Sequence, residues 1–220
     1  MNGCMFEPSR LILRPLQVSD FAQVEWLTRE AFWNLYRPGC DEHYLVRLMR
    51  DHEDFLPQVS CVAEFDNVVI GSILCTRSAV VGEGHCRMET VTFGPISVHP
   101  KFQRLGVGTA LIDRTKVLVA EMGIPAIIIH GDPHNYCKHG FKNGKDCGVR
   151  SKDGDHPLGL LVLELRKDAF SDNNWRFFES PVYDLDEEAA EAYDRTLEPK
   201  EKKWQYSQEI FSILIRAKIE

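Results

Sequence analysis

The segment Gln103-Arg104-Leu105-Gly106-Val107-Gly108-Thr109 constrains this chain more than any other. It joins a β-patterned run ending at Val98 to a helical pattern, Val107, Leu111, Leu118 and Met122, which Gly123 and Pro125 bring to a stop. Glycines at 106 and 108 let the backbone approach a bulky anion, and the first helical turn presents unpaired N–H groups with the helix dipole behind them. The same glycines also suit a tight strand-to-helix turn that binds nothing. Two other glycine-loop chemistries are excluded, because the chain has no Gly-x-x-x-x-Gly-Lys-Ser/Thr loop and no third glycine to complete a Rossmann fingerprint.

Around this loop the chain reads as mixed α and β. Residues 11–13 predict a first strand, and Ser19 or Asp20 caps a helix whose Val24, Leu27, Ala31 and Leu35 recur at helical spacing. A second helix runs from Asp41 or Glu42 to Arg50. Residues 57–66 and 68–76 flank Asp66-Asn67 as an antiparallel hairpin, and 86–98 forms a third long strand. Gly94-Pro95 interrupts that strand, where proline removes a ladder donor and glycine permits a bulge. The apolar run 126–129 predicts a buried parallel strand, 136–139 a short helix and 158–165 a further strand. Beyond 167 the composition changes, with an acidic helix start at 184–190, a charged break at 199–203 and an apolar run at 210–215.

With 220 residues, 44% of them hydrophobic and 27% charged, the chain can bury one core and carry an extension. A net charge of -7 counts against nucleic acid as a partner. No apolar run approaches the roughly 20 residues that span a bilayer, and Met1 to Glu7 lack a basic, apolar leader pattern, so no membrane contact and a cytoplasmic location are expected. Cys4, Cys40, Cys61, Cys75, Cys86, Cys137 and Cys147 are odd in number and scattered, as suits reduced thiols.

The stretch 95–108 resembles the central motif of the GNAT superfamily of N-acetyltransferases, Arg or Gln, two residues, Gly, one residue, Gly or Ala, with Gln103, Gly106 and Gly108 in the three positions. The resemblance implies a mixed, mostly antiparallel α/β sheet with flanking helices and a bulged, splayed central strand over 1–167. Residues 168–220 are expected to form a helical extension, packed on the domain or on a partner subunit of a homodimer, with Phe211, Ile213, Leu214 and Ile215 buried. It further implies acetyl-CoA as cofactor. Gln103, Arg104, Leu105, Gly106, Val107, Gly108 and Thr109 would meet its pyrophosphate, and the main chain of Ile96, Ser97 and Val98 its pantetheine arm and thioester carbonyl.

Aminolysis of a thioester needs a base for the amine and an acid for the leaving thiolate. Tyr136-Cys137-Lys138-His139-Gly140-Phe141 resembles the family's Tyr-x-x-x-Gly-Phe ending, which makes Tyr136 the general acid, and the preceding Gly131-Asp132-Pro133 is similar to a bacterial subgroup. Thr92 stands where the histone-acetylating branch carries its glutamate and cannot act as a base. Glu89 on the same strand is the candidate base, ahead of Glu83, Asp132 and His130. His130, His134, Cys137 and His139 are zinc-ligand types, but they overlap the thioester site and read as its polar loop, so no metal is expected. In the family the loop after the first helix walls the acceptor cleft, which places Phe32, Trp33, Tyr36 and Arg37 there. The implied activity is direct acetyl transfer from acetyl-CoA to a primary amine of a small molecule or peptide. The alternative on the same fold is a non-catalytic acyl-CoA sensor, which would keep the glycine loop and need no base.

Overall fold

The computed structural model describes residues 6–170 and 174–220; Cys4 and the first five residues of the N-terminal reading lie outside them. In chain order the elements are β1 (Ile12–Pro15), α1 (Phe21–Phe32), α2 (Glu42–Met49), β2 (Cys61–Phe65), β3 (Val68–Val81), β4 (Arg87–Val98), α3 (Val107–Glu121) and β5 (Ala126–His130). They continue as α4 (Pro133–Tyr136), β6 (Lys142–Asn143), β7 (Val149–Arg150), β8 (Leu160–Glu164), β9 (Trp175–Phe178), α5 (Glu187–Asp194) and α6 (Tyr206–Arg216). The described residues form one nine-stranded sheet along the path β1-β2-β3-β4-β5-β8-β6, with β9 joined to β3 and β7. Only β4 with β5 and β7 with β9 run parallel; the other pairings are antiparallel. This is the mixed, mostly antiparallel fold expected from the sequence.

Local chemistry accounts for most boundaries. Asp66 and Asn67 both take left-handed φ, 53° and 62°, as a two-residue hairpin turn of this hand requires. Asp20 precedes α1, yet its carboxylate does not cap that helix: it accepts from the Gln17 N–H at 2.8 Å and from both Arg14 terminal nitrogens at 2.7 and 2.9 Å. Strand β3 extends to Val81, past the expected end at 76, because its last residues pair with β4 on one edge and β9 on the other.

Strand alternation divides the core between the two faces of the sheet. On one face α3 packs Val107, Leu111, Ile112 and Val119 against Val91, Phe93, Ile127 and Ile129. On the other, α1 and α2 bring Val24, Leu27, Leu45 and Met49 to Val62 and Leu74, and a separate cluster joins Ala126, Ile128, Val162 and Phe177.

The central strands deviate where the sequence puts Gly94-Pro95. Ile73 faces Ile96 and Cys75 faces Phe93, so Leu74 alone opposes Gly94 and Pro95, a two-against-one bulge whose Gly94-Pro95 peptide is cis. On its other edge β4 meets β5 in register at Val91↔Ile127, and beyond that pair the two strands part.

The extension contains a strand as well as helices. Asp186 caps α5 by accepting from Glu188 and Ala189 N–H at 2.9 and 3.1 Å. The C-terminal end of α6 leads into backbone pairing with the segment before β8, Leu158 N–H to Ala217 O at 2.9 Å and Ile219 N–H to His156 O at 2.8 Å. Within the single chain the run 210–215 is only partly covered: Phe211 and Leu214 are half-buried, while Ile213 and Ile215 are 57% and 60% exposed, since successive helical residues point about 100° apart and cannot all face the same way. Among the described residues no helix is long and apolar enough to cross a membrane.

Candidate active site

The glycine loop lies at the start of α3. Arg104 and Gly106 adopt φ of 62° and 90°, and Gly106 is the N-cap, with no side chain capping the helix. Its carbonyl receives a helix bond from Ala110 N–H at 3.0 Å, so the N–H groups of the preceding turn face outward. A Cβ built on Gly106 would meet no atom within 4 Å, so the loop borders open space suited to a bulky anion. The Gln103 side chain donates to Val98 O at 3.1 Å and ties the loop to the end of β4. Val107 is buried under the helix, whereas Gln103 through Gly106 and Thr109 are exposed.

Ile96, Ser97 and Val98 pair with Ile73, Ser72 and Gly71 on the β3 side. In such a ladder alternate residues turn their N–H and C=O to opposite edges, so part of this main chain faces the gap toward β5. The Ser97 side chain is committed elsewhere, bonded to Thr28 Oγ1 at 2.8 Å.

Tyr136 stands at the end of α4 with its ring 5.8 Å from Phe93 and 5.9 Å from Phe141. The ring requires glycine at 131, where a Cβ would come within 2.5 Å of Tyr136 Cε2. Burial pushes the Tyr136 phenol well above its usual range, and Tyr36 and Asp132 act in the same direction. Tyr36 in turn packs on Phe32 at 5.8 Å and on Phe211 at 4.2 Å, and its phenol is pushed up to about 12 by burial, with Glu42 and Asp132 contributing. The two tyrosines thus share one cluster with Asp132. The other two loop residues hold the extension: Trp33 Nε1 donates to Glu201 O at 2.9 Å, and Arg37 pairs with Asp41 at 2.6 Å and Glu187 at 3.1 Å.

Glu89 is not brought to this cluster. It accepts from Arg77 Nε at 3.0 Å, its side chain is 51% exposed, and it lies four residues, roughly 13 Å of strand, before Phe93. Glu83 is bonded to Asn174 at 2.9 Å, and Asp132 caps α4 by accepting from His134 N–H at 2.9 Å. Among the described residues no three His, Cys, Asp or Glu side chains gather as metal ligands would.

Two residues that sequence reasoning missed lie on the face opposite α3. The Tyr183 hydroxyl donates to the bulge carbonyl of Gly94 at 3.2 Å and accepts from Thr76 Oγ1 at 3.2 Å. Glu179 Oε1 lies 4.0 Å from Nε2 of His130, the last residue of β5. Burial first and Asp184 second push the Glu179 carboxyl up to about 7, while burial lowers His130. Thr92, on this face by alternation, is 2% exposed and its Oγ1 has no hydrogen-bond partner among the described residues. No local signal marks Glu179, because its position depends on β9 pairing Phe178 with Ala79 of β3. A surface hollow of about 590 Å³, lined by Arg37, Asp41, Glu187 and Lys202 among others, lies between the loop after α1 and α5.

Comparison with known proteins agrees with this geometry. The acetyltransferase (GNAT) family is matched over residues 28–141, the stretch from α1 to Phe141. The uncharacterized N-acetyltransferase YjhQ of Escherichia coli K12 is 30% identical over 98 residues, 44% of this chain and 54% of that protein, so the match spans about half the relative's length. The GNAT family N-acetyltransferase YhbS of E. coli, solved in complex with CoA, superposes with a TM-score of 0.70 at 21% identity over 83% of this chain and 97% of its own. A GNAT family acetyltransferase from Brucella melitensis, solved in complex with acetyl-CoA, gives 0.63 at 21% identity over 79% and 97%. With more than half of its length matched and the same fold around a parted central strand pair, this chain belongs to the acetyltransferase (GNAT) family.

Proposed function

We propose that the protein transfers an acetyl group directly from acetyl-CoA to a primary amine of a small molecule or peptide. The observation that carries this reading is the parting of β4 and β5 beyond Val91↔Ile127, with the uncapped start of α3 on one side and Tyr136 at the far end. The CoA and acetyl-CoA complexes of the two structural neighbours support it.

In this reading the main-chain N–H groups of Arg104 to Thr109 hold the pyrophosphate, and the gap-facing main chain of 96–98 pairs with the pantetheine arm. Bound acetyl-CoA supplies the thioester carbonyl that the amine attacks. Tyr136, protonated at neutral pH, holds a proton for the departing thiolate. Phe32, Tyr36 and Phe211 form an apolar wall beside it, so residues 168–220 act as an extension that completes the acceptor side of a domain spanning 1–167.

Calorimetry with CoA and acetyl-CoA, followed by thiol-release assays over a panel of primary amines, tests the proposal. Binding with thiol release supports it. Binding without release across the panel replaces it with a sensor, and failure to bind CoA overturns it.

A further inference from the structure

We propose that Glu179, supplied by the extension, is the general base that takes the proton of the acceptor ammonium, working from the face of the sheet opposite α3 at the mouth of the β4–β5 gap. The inference rests on the acetyl-transfer reading above and goes beyond it by assigning the base to a residue outside the family-matched stretch 28–141.

Strand alternation separates the two reactant approaches. The glycine loop opens α3, and α3 packs on the face that carries Phe93, Ile127 and Ile129. Thr92 and His130 alternate with those residues and face the other way. An amine that does not share the cofactor's entrance therefore meets the gap from the Thr92 and His130 side.

Glu179 is held beside His130 from several directions. The preceding residue, Phe178, is paired with Ala79 of β3, and the following one, Ser180, is 3% exposed and donates to Asp54 Oδ2 at 2.8 Å. Four residues on, Tyr183 holds the β4 side of the gap through Gly94 O at 3.2 Å, and the Glu179 charge is felt at the Tyr183 phenol. On the β5 side, Glu179 Oε1 lies 4.0 Å from His130 Nε2. The carboxylate thus lies beside the last residue of β5, on a segment whose Tyr183 touches β4, and at 35% side-chain exposure it remains open to an incoming amine.

Its chemistry differs from that of Glu89. Glu89 already accepts from a guanidinium at 3.0 Å. Burial and then Asp184 raise Glu179, and Lys152 from the segment before β8 lowers it; facing it are the Tyr183 phenol, which burial raises, and the His130 imidazole, which burial lowers. The result is a carboxyl poised near neutrality, as a base for an ammonium needs. Thr92 adds an independent sign of a ligand on this face: its buried, unpartnered Oγ1 lies beside Thr76, which bonds the Tyr183 hydroxyl.

In the proposed step Glu179 accepts one proton from R–NH3+. The nitrogen pair then forms the C–N bond as the C–S bond breaks. Tyr136 gives its proton to the thiolate and regains one from the nitrogen as the amide forms. Glu179 passes its proton to water, so each turnover releases one proton.

The test uses the full chain and two primary amines of different pKa that the wild type acetylates. With Glu179→Gln, kcat/KM for the amine at pH 7 falls at least about 100-fold. The acid limb that the wild type shows near pH 7 with both amines disappears, and CoA affinity by calorimetry is unchanged. A variant that folds, keeps the limb and stays within about three-fold of the wild-type rate overturns the inference. If Glu179→Gln does not fold, Glu179→Asp decides: an acid limb retained with the rate lowered about ten-fold supports the role, and an unchanged rate overturns it. A wild type that releases no thiol with any amine overturns the transfer reading and this inference together. A turning-over wild type beside an unaffected Glu179→Gln overturns this inference alone.

Discussion

The ring of Phe211 is stacked on that of Tyr36, with centroids 4.2 Å apart and planes 24° from parallel. A helix of the extension therefore supplies the outer layer of an aromatic wall whose inner layer comes from the loop after α1. Ser207 Oγ to Leu35 O at 2.7 Å and Gln208 Nε2 to Asn34 O at 2.9 Å hold the two together.

Removing the outer ring should loosen the acceptor side alone. Phe211→Ala is expected to raise KM for the amine several-fold and to cost about 1 kcal/mol of stability, since the ring is only half-buried. CoA affinity should not change. Steady-state kinetics in the amine, with calorimetry for CoA, checks the split.

The extension is fastened by a buried ion pair. Arg29 of α1 donates from Nε to Asp194 Oδ1 of α5 at 2.9 Å, and the two side chains are 7% and 9% exposed. Asp194→Ala leaves the guanidinium buried without its carboxylate and should cost about 3–5 kcal/mol, read as a fall in urea midpoint. The double variant Arg29→Met, Asp194→Leu should recover most of that loss; a double variant as unstable as the single one would contradict the account.

His43 gives the fold an acid sensitivity of its own. It is fully buried, and burial, the largest cause, lowers its pKa from 6.5 to about 4. The folded pKa lies below the unfolded one, so stability is complete above pH 6.5 and declines as pH falls toward 4, where the unfolded chain holds a proton that the folded one refuses. The decline should approach roughly 3 kcal/mol. His43→Gln should flatten this part of the stability profile in urea titrations taken at successive pH values.

The glycine loop separates backbone from occupancy effects. Gly106 has φ of 90°, so Gly106→Ala should cost about 1–2 kcal/mol and weaken CoA binding as well. Gly108 is helical, and a Cβ there would sit 3.8 Å from Val98 Cγ2, an ordinary contact. Gly108→Ala, which places a residue the family motif also accepts at this position, should leave the melting temperature within about 2 °C of wild type and CoA affinity within about three-fold, as calorimetry would show.

Tyr136→Phe should lower kcat about 10- to 100-fold without changing the affinity for CoA. Because burial holds the phenol far above its normal range, the wild type should show no alkaline loss from this group below pH 10. Equal rates for the two forms from pH 7 to 10 would remove Tyr136 from the acid role.

The parts legible in the sequence are those whose geometry is local. Glycines 106 and 108 before a helical repeat, Gly94-Pro95 within a strand, and Asp66-Asn67 between two apolar runs each express a backbone requirement within a few residues. Asp20 has the local pattern of a helix cap, but Arg14, in the preceding strand, takes its carboxylate. The run 210–215 looked buried because its composition is apolar, while the helix turns half of it outward. Glu179 and Tyr183 carried no sign at all. Their roles arise from β9 pairing with β3 and from a phenol reaching a carbonyl on the bulge, contacts that join positions 79 to 178 and 94 to 183.

That difference in contact range also divides the molecule along its sequence. The anion loop, the parted strands and Tyr136 all lie in one continuous stretch that ends by Phe141. The opposite face is completed by β9, by Tyr183 against the bulge, and by α6 laid over Tyr36 and joined to 156–158. A change in the last fifty residues can therefore reshape one entrance while every residue of the phosphate cradle stays as it is.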